Sequence, residues 1–173
     1  MIRKAIQDDI PLVTQLYNKA IDYEDSHTKY TSWQKGIYPT RDTARIGVNN
    51  SSLYILEEDN KILASVILDT RQPPEYRNIS WEISTKPNGA LVIHTLCVDP
   101  EYSGSGIGSA LVDFIKQYAK NHGYPTIRLN TTKSNTPAYN LYQKNGFKIA
   151  SIQKILLNGQ IPCAEHLFME FIL

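Results

Sequence analysis

Residues 90–98 read as a buried strand, and they pass without a break into Asp99-Pro100-Glu101-Tyr102-Ser103-Gly104-Ser105-Gly106-Ile107-Gly108-Ser109. Ile107, Ala110, Leu111, Phe114, Ile115 and Tyr118 then repeat at the spacing of one helix face. A strand, a loop with three alternating glycines and an amphipathic helix constrain this chain more than any other feature. Glycine permits positive φ and lets a ligand approach the backbone closely. The first helical turn leaves its N–H groups without intrahelical acceptors, and the helix dipole adds partial positive charge there. Together these make a seat for a phosphate or pyrophosphate.

Two familiar phosphate loops fit poorly. A Walker loop needs Gly-Lys-Ser/Thr, and here Gly108 is followed by Ser109-Ala110. A dinucleotide fingerprint needs Gly-x-Gly-x-x-Gly after the first strand of a parallel unit. This loop is Gly-x-Gly-x-Gly, past the midpoint of the chain, behind hairpin-like strands. The competing reading of the same residues is structural: a tight turn and a close helix–sheet contact.

The rest of the pattern is mixed α/β. Residues 1–6 predict a short strand, and Asp8 or Asp9 a cap for a helix carrying Ile10, Val13, Leu16, Tyr17, Ala20 and Ile21 on one face. Thr40 opens a weakly patterned helix. Residues 53–56 and 62–68 read as two strands around a turn at Glu58-Asp59-Asn60-Lys61. Ile79 to Ile83 predicts a further strand and Thr126 to Leu129 a short one. Thr136-Pro137 has the cap and first-turn chemistry of a helix, with Gly146 at its stop. Residues 147–155 and 163–172 close the chain as two strands around Asn158-Gly159. Most strands are neighbours in sequence, so the expected fold is α/β (α+β), a mixed, largely antiparallel sheet with helices packed on both faces.

Composition narrows the function classes. A length of 173 residues with no repeat or low-complexity linker suits one domain over residues 1–173. A net charge of +1 argues against a surface built for nucleic acid or an anionic membrane. Apolar runs of about five residues fall far short of the roughly 20 needed to span a bilayer. No apolar signal segment follows Arg3-Lys4, so a cytoplasmic location is expected. Cys97 and Cys163 form neither a metal-ligand pattern nor a disulfide framework, and no metal is expected.

With both motifs in view, the chain resembles the GNAT superfamily of acetyl-CoA-dependent N-acetyltransferases. That family's pyrophosphate loop reads Arg/Gln-x-x-Gly-x-Gly/Ala after a strand, similar to Ser103-Gly104-Ser105-Gly106-Ile107-Gly108 behind Val98-Asp99-Pro100. The helix Asn135-Thr136-Pro137-Ala138-Tyr139-Asn140-Leu141-Tyr142, continuing to Gly146-Phe147, resembles the family's Asn-x-x-Ala-x-x-Leu-Tyr-x-x-x-Gly-Phe. The likeness covers about residues 90–150. Ser103 stands where the family usually has Arg or Gln, so the side-chain contribution to the pyrophosphate is weakened while the main-chain cradle is kept.

The resemblance implies a set of roles. Acetyl-CoA is the acyl donor, lying between the strands 90–98 and 126–130, against the amides of Leu96, Cys97 and Val98 and beside Asn130. Its pyrophosphate sits on the amides from Ser103 to Ser109. Asn135, Ala138 and Tyr142 share one helix face toward it, with Tyr142 as the acid for the departing thiolate. A phenol near pH 10 can protonate a thiolate near 8.5 without ionising at neutrality. His94 is the candidate base on similarity to arylalkylamine N-acetyltransferases of the superfamily, and histidine's pKa suits that relay. Glu82 is the rival base, and solvent alone is a third route. Cys97 reads as packing: it lies in an apolar strand, and His94, three residues away, points to the opposite face.

The implied reaction is transfer of an acetyl group to a primary amine by direct attack; the alternative is a non-catalytic acyl-CoA-binding sensor on the same fold. The acceptor is a small-molecule or peptide amine. The aromatics and carboxylates Tyr23, Glu24, Asp25, Tyr30, Trp33, Tyr38, Tyr76, Trp81 and Glu82 favour a cationic one. His27, His122 and His166 carry no constellation. The strand 165–172 is apolar enough to pair with a second copy, or simply to complete the sheet.

Overall fold

The computed structural model of the protein describes residues 1–155 and 164–173. The expected turn at Asn158-Gly159, and Cys163, lie outside the described residues. In chain order the elements are β1 (Ile2–Lys4), α1 (Ile10–Ser26), α2 (Arg41–Asn49), β2 (Leu53–Glu58), β3 (Lys61–Asp69) and β4 (Leu91–Val98). They continue with α3 (Ile107–Asn121), β5 (Thr126–Thr132), α4 (Thr136–Lys144), β6 (Lys148–Ile155) and β7 (Ala164–Ile172). The strands form a seven-stranded sheet in the order β1-β2-β3-β4-β5-β7-β6. Its described pairs are antiparallel except β4 with β5, as the sequence pattern predicts.

The chain divides into two compact units. The first comprises Met1–Lys29, Trp33–Leu68 and His94–Leu111. Its core joins Ile10, Val13, Leu16 and Tyr17 of α1 to Ala44 of α2, Leu53 and Ile55 of β2, Ile67 of β3 and Cys97 of β4. These are the positions that helical and alternating periodicity select. Tyr54, Leu56, Ala64, Val66 and Leu68, on the opposite face of the hairpin, are buried too, so the sheet is covered on both sides. Asp59 and Asn60 take positive φ at the β2–β3 turn, the conformation that a two-residue hairpin loop of the primed type demands.

The second unit comprises Tyr30–Ser32, Asp69–Ile93 and Val112–Leu173. In it β5 pairs with β7 across Arg128↔Glu170, Asn130↔Phe168 and Thr132↔His166 on one face, and Ile127↔Phe171, Leu129↔Met169 and Thr131↔Leu167 on the other. One face is therefore polar and the other apolar. The apolar face carries Phe147, whose ring lies 5.3 Å from those of Phe171 and Tyr142. The polar face is buried as well: Arg128, His166 and Glu170 are all under 5% exposed. Tyr76 and Trp81, from the segment after β3, lie against Phe168 on it.

Three local expectations are corrected. Residues 79–83 are not a strand. The alternation of Ile79, Trp81 and Ile83 imitates one, but a 3-10 turn over Pro74–Asn78 precedes them, and Trp81 N–H closes a tight turn onto Ile79 O at 3.0 Å. Trp81 Nε1–H donates to Tyr76 O, and the Glu82 N–H donates to the Glu170 carboxylate at 2.7 Å. Asp9 holds the N-cap position of α1 but makes no side-chain cap bond: its carboxylate accepts the Ile6 N–H and the Arg3 guanidinium, closing the turn before the helix. The cap of α4 is Asn135, whose Oδ1 accepts the Ala138 N–H, and Thr136 is the first helical residue.

Candidate active site

The glycine loop is built as its sequence demands. Asp99 accepts the Glu101 N–H and opens a 3-10 turn over Pro100–Tyr102. Lys19 of α1 holds this entry, with Nζ 2.8 Å from Asp99 and 3.0 Å from Glu101. Beyond it, Ser103 N–H bonds back to Pro100 O and Ser105 N–H to Tyr102 O. Gly104 and Gly106 take φ of +77° and +91°, where a side chain would be strained, and nothing lies within 4 Å of the place a Cβ would occupy on either. The first amide of the following turn to find a carbonyl is that of Ala110, on Gly106 O. The N–H groups of Gly104, Gly106, Ile107, Gly108 and Ser109 donate to none of the described residues. Uncapped amides at the start of a 15-residue helix, with glycines clearing the approach, fit a pyrophosphate.

Along β4 the chain alternates: His94, Leu96 and Val98 are half-buried, whereas Thr95 and Cys97 are buried. Thr95 sits at φ +48°, its hydroxyl against the Tyr38 hydroxyl. β4 pairs with β5 in parallel at Leu91↔Ile127 and Val92↔Arg128. Asp99 N–H bonds Leu63 O of β3 at 2.8 Å. Alternation turns the Cys97 amide to that same edge and the Leu96 and Val98 amides to the other. Of the three amides expected at the thioester, Leu96 and Val98 are thus the two facing away from β3. Burial pushes the Cys97 thiol far up, with Asp99 and Glu24 adding to the shift; such a thiol is no nucleophile.

In the second unit Tyr142 is 4% exposed. Burial pushes its phenol well up, so it keeps its proton at neutral pH. Its hydroxyl makes no hydrogen bond among the described residues, which leaves that proton available for donation. Asn130 is bonded on both sides of its amide: Oδ1 accepts the Tyr76 hydroxyl at 3.1 Å, and Nδ2 lies 2.9 Å from His166 Nδ1. Because Oδ1 already serves as acceptor, Nδ2 donates, His166 Nδ1 accepts, and the imidazole proton resides on Nε2. Burial lowers the His166 pKa, so the ring is held neutral. The sequence shows no constellation around His166, since its partner Asn130 lies 36 positions away and Tyr76, which joins the network only through Asn130, lies 90 away.

Glu82 is exposed and lies outside any strand, which removes the strand position that suggested it as a base. With Lys148 and Glu170 it lines a cavity of about 320 Å3. Two of the aromatics offered for a cationic acceptor already have partners: Trp81 lies 4.5 Å from the Arg128 guanidinium, and Tyr23 stacks on His27 at 4.1 Å. Asp25 pairs with Lys29.

The family model described as the Acetyltransferase (GNAT) family matches residues 13–147. An uncharacterized N-acetyltransferase of Methanocaldococcus jannaschii is 25% identical over 159 residues, covering 88% of this chain, and the chain spans 62% of that relative's length. Peptidyl-lysine N-acetyltransferase YiaC of Escherichia coli is 26% identical over 150 residues, 86% of this chain and 84% of its own. The crystal structure of a GNAT-family acetyltransferase from Streptococcus agalactiae shares the fold at a TM-score of 0.81 and 20% identity, covering 100% of this chain and 95% of that one.

Proposed function

The chain belongs to the GNAT acetyltransferase family, and from that premise we propose that it moves the acetyl group of acetyl-CoA to a primary amine by direct attack in a ternary complex. The observation that carries this reading is the glycine loop, where the unbonded amides of Gly104, Gly106, Ile107, Gly108 and Ser109 stand at the head of α3, with two glycines at positive φ. Acetyl-CoA supplies the activated thioester when bound. Gly104, Gly106, Ile107, Gly108 and Ser109 hold the pyrophosphate by free main-chain N–H groups, while the Ser103 and Ser105 amides, bonded to Pro100 O and Tyr102 O, shape the loop around it. Ser103, exposed, lacks the long side chain usual at this position, so Ser103→Arg lowers the KM for acetyl-CoA.

The roles proposed for the remaining residues follow from their chemistry. The Leu96 and Val98 amides donate to the developing oxyanion, a contribution of about 3–4 kcal/mol. Asn130, Asn135 and Ala138 contact the cofactor, Asn130 being held in one orientation by Tyr76 and His166. Tyr142 gives its proton to the departing thiolate. His94 takes the proton of the amine. The E. coli relative is named for peptidyl-lysine, and a lysine ε-amine is the first acceptor to assay.

The test is release of coenzyme A over a panel of primary amines, with wild type and Tyr142→Phe. The variant is expected to lose about 10²-fold in kcat, the range of general acid catalysis, with little change in KM for acetyl-CoA. Its Tm should not fall, because the lost hydroxyl has no partner to forfeit. Unchanged kcat would remove Tyr142 from the mechanism. For His94→Gln, a rate deficit that shrinks as pH rises is expected, and a wild-type pH profile would eliminate it as the base.

A further inference from the structure

A cavity of about 520 Å3 lies under the segment between β3 and β4, within the second unit. This falls in the size range of small-molecule sites. Among the described residues three cationic side chains line it, Arg77, Lys86 and Arg128, and no Asp or Glu does. Arg128 is buried at its floor. Its Nε faces Glu170 Oε1 at 3.3 Å, Nη1 donates to Gln72 at 2.8 Å, and Nη2 donates to Ile83 O. A guanidinium has five N–H groups, so two remain for a ligand. The indole of Trp81, 4.5 Å away, holds the group in place.

Arg77 and Lys86 are exposed and form no ion pair among the described residues. Setting Glu170 against Arg128, two positive charges of the wall stay uncompensated. Thr85 also lines the wall, but its Oγ1 is closed to solvent and has no hydrogen-bond partner among the described residues. Cationic walls of this kind also raise the local concentration of anions.

We propose that this cavity binds a small organic anion bearing carboxylate or phosphate groups with at least two negative charges. Such an anion comes from one of two sources: an anionic group on the acceptor amine itself, or a separate regulatory metabolite. The first source rests on the acetyltransferase reading, while the binding site does not. The test therefore begins with binding. Tm is followed against citrate and against inorganic phosphate at ionic strength matched with sodium chloride, for wild type and for Arg77→Gln/Lys86→Gln. Both substituted residues are exposed, so the double variant should match the wild-type Tm without anion. The wild type is expected to show saturable stabilisation, with the anion bound at least tenfold more weakly by the double variant. No saturable stabilisation, or equal stabilisation of both proteins, overturns the proposal; the second outcome would place the anion elsewhere, as on the glycine loop. Turnover then separates the sources. A rise in KM confined to amines carrying a carboxylate assigns the site to the acceptor, and equal KM values with anion binding lost assign it to a regulator.

Discussion

Replacing Gly106 by alanine separates what the loop does for stability from what it does for binding. Gly106 stands at φ +91°, and nothing lies within 4 Å of a Cβ built on it. Alanine therefore meets no clash, and its whole cost is conformational, about 1–2 kcal/mol for an L-residue in the left-handed region. At roughly 2–4 °C per kcal/mol for a chain of this size, Tm should fall by about 2–8 °C. The loop can escape part of that strain by relaxing, but relaxation turns the amides away from the pyrophosphate. The part relieved in the free protein then reappears as lost affinity, at most about 5- to 30-fold at 1.4 kcal/mol per tenfold, and the fall in Tm shrinks by the same free energy. Gly123 provides the control: it takes φ +71° with equally open space, beyond the other end of α3. Gly123→Ala should bring a similar loss of Tm and leave acetyl-CoA binding as it was. Thermal denaturation paired with titration calorimetry of acetyl-CoA reads both quantities. A dissociation constant for Gly106→Ala within twofold of wild type, or an equal loss in Gly123→Ala, would refute the reasoning.

Three further outcomes follow from the burial of charged and titratable groups. Glu170→Gln strands the Arg128 guanidinium, 4% exposed in its side chain, at a cost of about 3–5 kcal/mol; an apolar Arg128→Met/Glu170→Leu pair should recover most of it in denaturant titration, and a wild-type midpoint for Glu170→Gln would count against the ion pair. Burial holds His166 below its ordinary value, so the unfolded chain protonates there first: the stability it supports is whole above about pH 6.5 and lost as pH falls through the lower folded value. His166→Gln should flatten the fall of Tm between pH 7 and pH 5, and parallel slopes would contradict this. Cys97, buried with its thiol pKa raised far above neutrality, should resist alkylation in the folded protein at pH 8; peptide mapping that finds it modified within minutes would mean the strand opens.

The elements that could be read from the sequence are those whose signals are local. The β2–β3 hairpin announces itself by apolar runs flanking Asp59-Asn60, and α3 by a stripe running from Ile107 to Tyr118. Caps were harder, because a cap is decided by which of two adjacent oxygens reaches an N–H: Asn135 rather than Thr136, and Asp9 spent on Arg3 rather than on α1. The false strand at residues 79–83 failed for a tertiary reason. Its backbone N–H at Glu82 is taken by a carboxylate 88 positions away, and no periodicity encodes such a partner.

The same contrast divides the glycine loop from the cationic cavity. The loop is made of main chain over seven consecutive residues, so its chemistry survives translation into a motif. The cavity is made of side chains from residues 72 to 128, backed by Glu170. Thr126, Arg128, Asn130 and Thr132 alternate with Ile127, Leu129 and Thr131, and His166 and Glu170 with Leu167 and Met169. That alternation normally marks a sheet face open to water. Here the segment after β3 lies on the polar face, so groups that read as solvated are desolvated and must pair with one another: Arg128 with Glu170, Asn130 with Tyr76 and His166. A polar face buried under aromatic residues is costly unless its groups are hydrogen-bonded. Its unspent donors, two N–H groups of Arg128, are therefore where the segment's purpose should be sought, and with Arg77 and Lys86 they point to a ligand that accepts hydrogen bonds and carries negative charge.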